Sequence, residues 1–359
     1  MVDRDYMERA LFHAARGRGR TSPNPLVGAV LVSPDGVVVG QGYHERAGEA
    51  HAEVRALSEA GTRARGATLY CTLEPCCHLG RTGPCVHRLV DAGVRRVVAA
   101  VEDPNPLVSG RGFAFLRAAG VVVEVGLCAR AATALNQSFF TLMSEGRPFV
   151  VLKAATSLDG RIASRPGART ALTSAAANRH AHRLRAEVDA IGVGVGTILA
   201  DDPELTVRGI YRERPLTRVV FDRHLRTPPD ARVLSTADAG PVIIVTTAPA
   251  ADRAASREAL EARGAEIAVA DDSFRSALHC LGERHIGSLL LEGGAGMHAA
   301  AWDEQLVDFV RLYVTPHALG HDGLALLGDR AFSTATLLDR HVESLGPDVL
   351  IEGYVHGLG

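Results

Sequence analysis

Aromatic residues are scarce in this 359-residue chain, at 5%, and tryptophan occurs once. Surfaces that bind nucleic acid interleave aromatics with basic side chains. Here the net charge is −2 and the pI about 6.7, which leaves no global basic footprint for such a partner. Also missing is any run near the roughly 18 unbroken apolar residues of a membrane span. The opening "MVDRDYMERALFHAARGRGR" carries acidic residues and no apolar stretch of signal-peptide length. A cytoplasmic protein without membrane or nucleic-acid partners is the expectation. Cysteine is sparse too, six in all. In a reducing compartment, thiols serve metals or catalysis rather than disulfides. Lysine is nearly absent: Lys153 stands alone against 38 arginines.

What is present is ordinary in bulk. Hydrophobic residues at 47% and charged residues at 22% fit a globular protein. The length suffices for two domains, each burying its own core. In the first part, "DRDYMERALFHAARG" puts Tyr6, Met7, Ala10, Leu11 and Ala14 on one helical face. "VGAVLV" and "VVVGQGY" flank a Pro34-Asp35-Gly36 bend and read as a hairpin. "HAEVRALSEAG" returns to helix, "ATLYCTL" to strand, and two helix-strand units follow. Such alternation predicts a sheet covered by helices on both faces. Between residues 135 and 148 the pattern lapses. A second α/β run begins with "FVVLKAATSLDG", so the expected domains are 1–145 and 146–359. In that run "LADDPEL" reads as a loop, and a helix is expected from about Met297.

Half of the cysteines fall in "TLEPCCHLGRTGPC", Thr72 to Cys85. Closed structural zinc sites show paired C-x2-4-C knuckles and four protein ligands; the spacings here give none beyond the adjacent pair. Neighbouring side chains diverge, so one tetrahedral ion takes Cys76 or Cys77 but not both. Upstream, "HAE" supplies His51 and Glu53 at a helix start. H-x-E followed by Pro-Cys and a further Cys is the pattern of zinc deaminases, although that pattern closes as P-C-x-x-C. Ligands His51, Cys76 and Cys85 would leave a fourth position to water, whose pKa zinc lowers to about 7. Glu53, close by without ligating, would take the water's proton and pass it to the departing ammonia. Cys77 and His78 stay open as rivals of Cys76.

These words resemble the deaminase half of the bifunctional riboflavin-biosynthesis deaminase/reductase family. The match runs over residues 1–145 through "PNPLVGAV", "GYHERAGEAHAEVRAL", "GATLYCTLEPC", "GRTGPC" and "DPNPLVSGRG". The resemblance implies a cytidine-deaminase-like three-layer α/β/α domain with one zinc per chain on His51, Cys76 and Cys85. It implies Glu53 as proton shuttle and a substrate pocket near Asn24, His44, His78 and Arg81. Cys77 stands where the family usually has Ser, and Gly83 where it usually has Pro.

The second half offers "LLLEGGAG", an apolar strand entering a Gly-rich turn before a helix. Such a turn presents N–H groups to phosphate, although glycine also serves close packing. The lone Lys153, on an apolar strand start, suggests a place where guanidinium will not serve, such as proton donation to a substrate hydroxyl. Arg185 and Arg208 suit a phosphate ester.

Residues 147–359 resemble the reductase half of the same family, through "KAATSLDGRIA", "LRAEVDAIGVGVGTILADDPELTVR", "LEGGAG" and "GPDVLIEG". The resemblance implies a dihydrofolate-reductase-like α/β domain that binds NADPH around Ala155, Thr197, Asp201 and the turn of Gly294, Ala295, Gly296 and Met297. It implies substrate contacts from Arg185, Leu205, Arg208 and Glu292. Ala171 stands where the family commonly has Trp on the cofactor rim, Arg169 where it has Ser on the substrate side, and Arg223 where Ser follows "FD". The expected protein is thus a two-domain, homo-oligomeric enzyme acting on small phosphorylated pyrimidines. It would first deaminate a diaminopyrimidinone bearing a phosphoribosylamino group, then reduce the ribosyl group to ribityl with NADPH. A nucleic-acid-editing deaminase lacks its basic aromatic face here. A nearer rival keeps the deaminase and makes the second domain a degenerate assembly module.

Overall fold

The computed structural model describes residues 2–77, 83–165, 167 and 170–357. His78, Arg81 and Arg169 lie outside the described residues. Contacts divide the chain into two compact units, residues 1–145 and 146–357. Among the described residues no helix is long and apolar enough to cross a membrane.

The first unit runs α1 (Asp3–Ala15), β1 (Gly28–Val32), β2 (Val38–Tyr43), α2 (Ala52–Ala60), β3 (Thr68–Cys71), α3 (Cys85–Asp91) and β4 (Arg96–Ala99). It continues through α4 (Arg111–Ala118), β5 (Val122–Val125), α5 (Ala129–Leu135) and α6 (Gln137–Glu145). Its sheet has the order β2-β1-β3-β4-β5, with β1 antiparallel to both neighbours and β3, β4 and β5 parallel. Side chains alternate across the pleat. Val30, Val32, Tyr70 and Val98 face Tyr6, Met7 and Ala10 of α1. Leu31, Leu69 and Val97 face Ala52 and Ala56 of α2, Leu89 of α3 and Leu116 of α4. The result is helix, sheet, helix, as expected. Leu11 is partly buried and packs against the cluster around Tyr6 and Met7, and His13 is buried as well, beside Gln41. The stretch where the pattern lapses forms α6, which buries Phe139 and Leu142.

Glycine fixes how closely α2 approaches the sheet. A Cβ on Gly40 would lie 2.1 Å from the Ala56 carbonyl oxygen, so a larger residue there would push the helix off. The close approach seats α2, which begins just after His51 and carries Glu53 in its first turn, on β2.

The second unit holds β6 (Phe149–Thr156), β7 (Arg161–Ala163), α7 (Ala175–Glu187), β8 (Ala190–Gly194), α8 (Val195–Asp201), β9 (Thr217–Phe221) and α9 (Arg232–Ser235). Then come β10 (Val242–Thr247), α10 (Ala248–Ala251), α11 (Ala254–Glu261), β11 (Ala265–Ala270), α12 (Phe274–Gly282), β12 (Ser288–Leu291) and α13 (Ala295–Asp303). The chain closes through β13 (Phe309–Val314), β14 (Leu324–Ala325), β15 (Leu338–Leu345) and β16 (Asp348–Tyr354). The main sheet has nine strands in the order β11-β10-β9-β8-β12-β6-β13-β16-β15, parallel except at β16 and β15. One face packs on α12 and α13, the other on α7, α8 and α11.

Two expectations need correction. Leu199 to Asp201 form the last turn of helix α8, where the sequence reading has a loop through "LADDPEL", and Thr197, read as the end of a buried strand, lies in the same helix. The short helix begins at once after β8, and its β-branched, glycine-rich sequence hides the helical period. Helix α13 starts at Ala295, two residues before the expected Met297.

Candidate functional site

In the first unit, three elements converge on one point. His51 is the residue capping the start of α2, Cys85 is the first residue of α3, and Cys76 lies on the loop after β3. His51 Nδ1 is 3.3 Å from Cys85 Sγ and 3.4 Å from Cys76 Sγ, and all three ligand atoms lie within 4.8 Å of one another. Tetrahedral zinc, with about 2.3 Å to sulfur and about 2.0 Å to nitrogen, needs ligand atoms about 3.5 Å apart. Both nitrogen-to-sulfur distances match that spacing, and the donor set of one imidazole and two thiols suits the ion. The Cys85 backbone N–H points at Cys76 Sγ at 3.4 Å. Hydrogen bonds from Cys85 and then His51 outweigh burial and lower the Cys76 thiol, so this site favours a thiolate. Cys77 Sγ lies 3.9 Å from the Leu107 carbonyl, away from the cluster.

Glu53, in the first turn of α2, is 3% exposed. Burial raises its carboxyl to about 7, and the Cys76 charge adds to the rise. A carboxyl held near neutrality beside a cation site can both accept and return a proton. Asn24 Nδ2 lies 3.2 Å from His44 Nε2, and His44 Nδ1 lies 3.4 Å from the Ala50 carbonyl. That pattern puts the proton on Nδ1, with Nε2 accepting from Asn24. Burial lowers the His44 pKa, so the ring stays neutral, edge-on to His51 at 5.6 Å between centroids.

Sequence reasoning missed Glu74, one turn of chain before Cys76. Its buried carboxylate accepts from the N–H groups of Asp103, Gly110, Gly112 and Phe113, at 2.8–3.2 Å. It thereby fastens the loop before α4 and the start of α4 against the cysteine loop. A Cβ on Gly112 would lie 2.3 Å from the Pro75 carbonyl oxygen. Only the word "EPC" hinted at this, and it reads equally as a surface glutamate.

In the second unit a cavity of about 1190 Å³ opens at the carboxyl ends of β6, β8, β9 and β12. Here β8 feeds chain toward β9, while the turn after β12 feeds it back toward β13. Ligands of open parallel sheets bind at such a reversal. Gly194 to Thr197 at the start of α8 and Gly293 to Met297 at the start of α13 line it together. Ala155, Ala171, Asp201 and Ala300 also line it. Two helix N-termini with glycine backbones suit a pyrophosphate.

Lys153, on β6, lines the same cavity. Its Nζ is 3.6 Å from Glu292 Oε2 and 5.5 Å from the centroid of the Tyr313 ring. Tyr313 is held by a 2.8 Å hydrogen bond between its hydroxyl and His180 Nδ1. Arg185 donates to both Glu292 oxygens, at 2.9 and 2.8 Å, and to the Thr206 carbonyl at 2.9 Å. Burial pushes the Glu292 carboxyl up, but Lys153 and Arg185 outweigh it and hold the group ionised, well below the ordinary range. Arg185, Leu205 and Arg208 line a smaller recess of about 200 Å³ nearby. Leu205 adopts φ +54°, a left-handed conformation rare for leucine and typical of functional loops. His182 was missed; it lines the main cavity and accepts the Arg208 backbone N–H at 3.2 Å through Nδ1.

Known proteins match this layout. Residues 1–101 match the cytidine and deoxycytidylate deaminase zinc-binding region, and residues 148–351 the RibD C-terminal domain. The riboflavin biosynthesis protein RibD of Aquifex aeolicus is 41% identical over 98% of both chains. That of Escherichia coli is 40% identical over 98% of this chain and 99% of its own. The structure of Acinetobacter baumannii RibD superposes with a TM-score of 0.86 at 37% identity, covering 98% of each chain. A Thermotoga maritima structure titled diaminohydroxyphosphoribosylaminopyrimidine deaminase/5-amino-6-(5-phosphoribosylamino)uracil reductase gives 0.84 at 34% identity over 97% of each.

Proposed function

The chain belongs to the RibD family of riboflavin biosynthesis proteins, bifunctional enzymes with a deaminase and a reductase, and from that premise we propose which residues carry each step. The first substrate is 2,5-diamino-6-(5-phosphoribosylamino)pyrimidin-4-one. Water adds at C2, the bond from C2 to its amino nitrogen breaks, and ammonia leaves while the 5-amino group stays. His51, Cys76 and Cys85 would hold zinc, which when bound is a Lewis acid that makes water nucleophilic near neutral pH. Glu53 accepts the proton that the attacking water gives up and returns it to the departing amine, so the carboxyl ends as it began. His44 and Asn24 line the approach with a neutral ring nitrogen and an amide.

The second substrate is the deaminated product. NADPH, held at the two glycine-lined helix starts, would supply a hydride to C1′ of the ribosyl group. As the C1′–O4′ bond breaks, Lys153 delivers a proton to O4′ and leaves a ribityl chain. Glu292, 3.6 Å from the Lys153 ammonium, keeps it aimed. A reductase half that served assembly alone would have no use for a shielded lysine and carboxylate set in a cavity of about 1190 Å³, with an arginine braced against the carboxylate from the neighbouring recess. That cluster beside the glycine turns, with the His51–Cys76–Cys85 cluster in the other unit, carries the reading. A cytoplasmic location suits it, because a reducing compartment keeps both ligand thiols free.

The reciprocal variants test it. Glu53→Gln should keep zinc and lose deamination by roughly 10²–10⁴-fold, the usual contribution of a positioned acid/base. Its reduction of supplied deaminated substrate should be normal. Lys153→Arg should show the opposite pattern, because guanidinium is planar and does not release a proton. Near-normal deamination in the first, or near-normal NADPH oxidation in the second, removes that residue from its role.

A further inference from the structure

The loop that carries Asn24 is held from the far end of the first unit. Pro23 and Pro25 have no backbone N–H, so Leu26 offers the first backbone donor after Asn24. Strand β1 begins only at Gly28, beyond Leu26. The partner of Leu26 is instead a side chain 110 residues away. Asn136 Oδ1 accepts the Leu26 N–H at 2.7 Å, and Asn136 Nδ2 donates to the Leu26 carbonyl at 2.9 Å. One side-chain amide thus does for Leu26 what a neighbouring strand would do. Leu26 lies between two contacts with His44. Asn24 Nδ2 is 3.2 Å from His44 Nε2, and the Val27 carbonyl accepts the His44 backbone N–H at 2.9 Å.

Asn136 is itself firmly seated. It is 2% exposed and stands at the junction of α5 and α6. There its N–H donates to the Thr133 carbonyl at 3.0 Å, and its carbonyl accepts from the Phe140 N–H at 2.9 Å. The two helices bury Ala132, Phe139 and Leu142. With its backbone committed to the helix junction, only the side chain serves the loop.

We propose that Asn136 is a positioning residue for deamination: its amide fixes the Leu26 backbone, and the fixed loop sets Asn24 against His44. This rests on the reading of Asn24 and His44 as groups that line the approach of the first substrate. An amide carries one donor group and one acceptor, whereas an ionised carboxylate only accepts. Aspartate at this position has nearly the same shape but turns an acceptor toward the Leu26 carbonyl, which loses its partner.

The test is a double-mutant cycle on deamination, read as ammonia release from the diaminopyrimidinone. Asn136→Asp should lower kcat/KM by roughly 10²-fold, the scale of a 1 Å misplacement. Zinc content and reduction of supplied deaminated product should be unchanged. In the Asn24→Ala background the same substitution should cost no more than about two-fold, because the side chain through which it acts is gone. Thermal stability should fall equally in both backgrounds. Should Asn136→Asp not fold, Asn136→Ser, which lets water reach Leu26, is carried through the same two backgrounds. An equal loss of deamination in both backgrounds, or no loss in either, overturns the proposal. The reading of Asn24 fails separately, through normal deamination by Asn24→Ala alone, and takes the proposal's premise with it.

Discussion

At the scale of single residues, adjacent thiols have different fates. Cys76 Sγ meets His51 and Cys85, whereas Cys77 Sγ turns toward Leu107. Cys76→Ser should therefore lose the roughly one zinc per chain expected of a His-Cys-Cys site, and Cys77→Ser should keep it along with deamination. Metal analysis of both proteins checks this, and the reverse pattern would exchange their roles. The chemistry of His51, Glu53 and Cys85 was legible because it lies in short words with fixed spacing. The choice between neighbours was not, since it depends on how the loop after β3 turns. Glu74 and His182 were invisible for a related reason. Their partners lie 26 to 39 residues away, and nothing local marks either side chain.

At the scale of elements, helix α13 carries the nucleotide-facing turn at its start and buries His298 one turn later, at 1% exposure. Burial lowers the pKa of that ring to about 4, and Lys153 nearby adds to the fall. The unfolded chain binds this proton near pH 6.5, and the folded chain only near 4. The contribution to stability is thus full above about pH 6.5 and is lost as pH falls through 4, at up to about 1.4 kcal/mol per unit. In unfolding titrations of the reductase transition, His298→Leu should show a correspondingly smaller loss between pH 6.5 and 4. An unchanged slope would mean that the ring is not held neutral. The strands of both sheets were readable from their apolar runs. Helices α6 and α8 were not. In α8, Gly196 and the β-branched Val195, Thr197 and Ile198 follow a strand of similar composition, and packing against β8 and β9 makes them helical.

At the scale of the whole molecule, the two candidate sites are built from different units, the first entirely from residues before 146 and the second entirely from residues after it. Among the described residues no side chain is shared between them, so loss of one chemistry should spare the other. The α/β class of both halves was legible from alternation alone. Their activities became legible only through motif words, because a fold hosts many chemistries. The most direct measurement follows ammonia release and NADPH oxidation by one preparation, before and after removal of zinc with a chelator. The intact protein given the diaminopyrimidinone should release one ammonia for each NADPH oxidised, in that order. The chelated protein should do neither with that substrate, yet should oxidise NADPH at an undiminished rate when given the deaminated product. NADPH oxidation on the diaminopyrimidinone without ammonia release, or loss of reduction on the deaminated product after chelation, would contradict two separate sites acting in sequence.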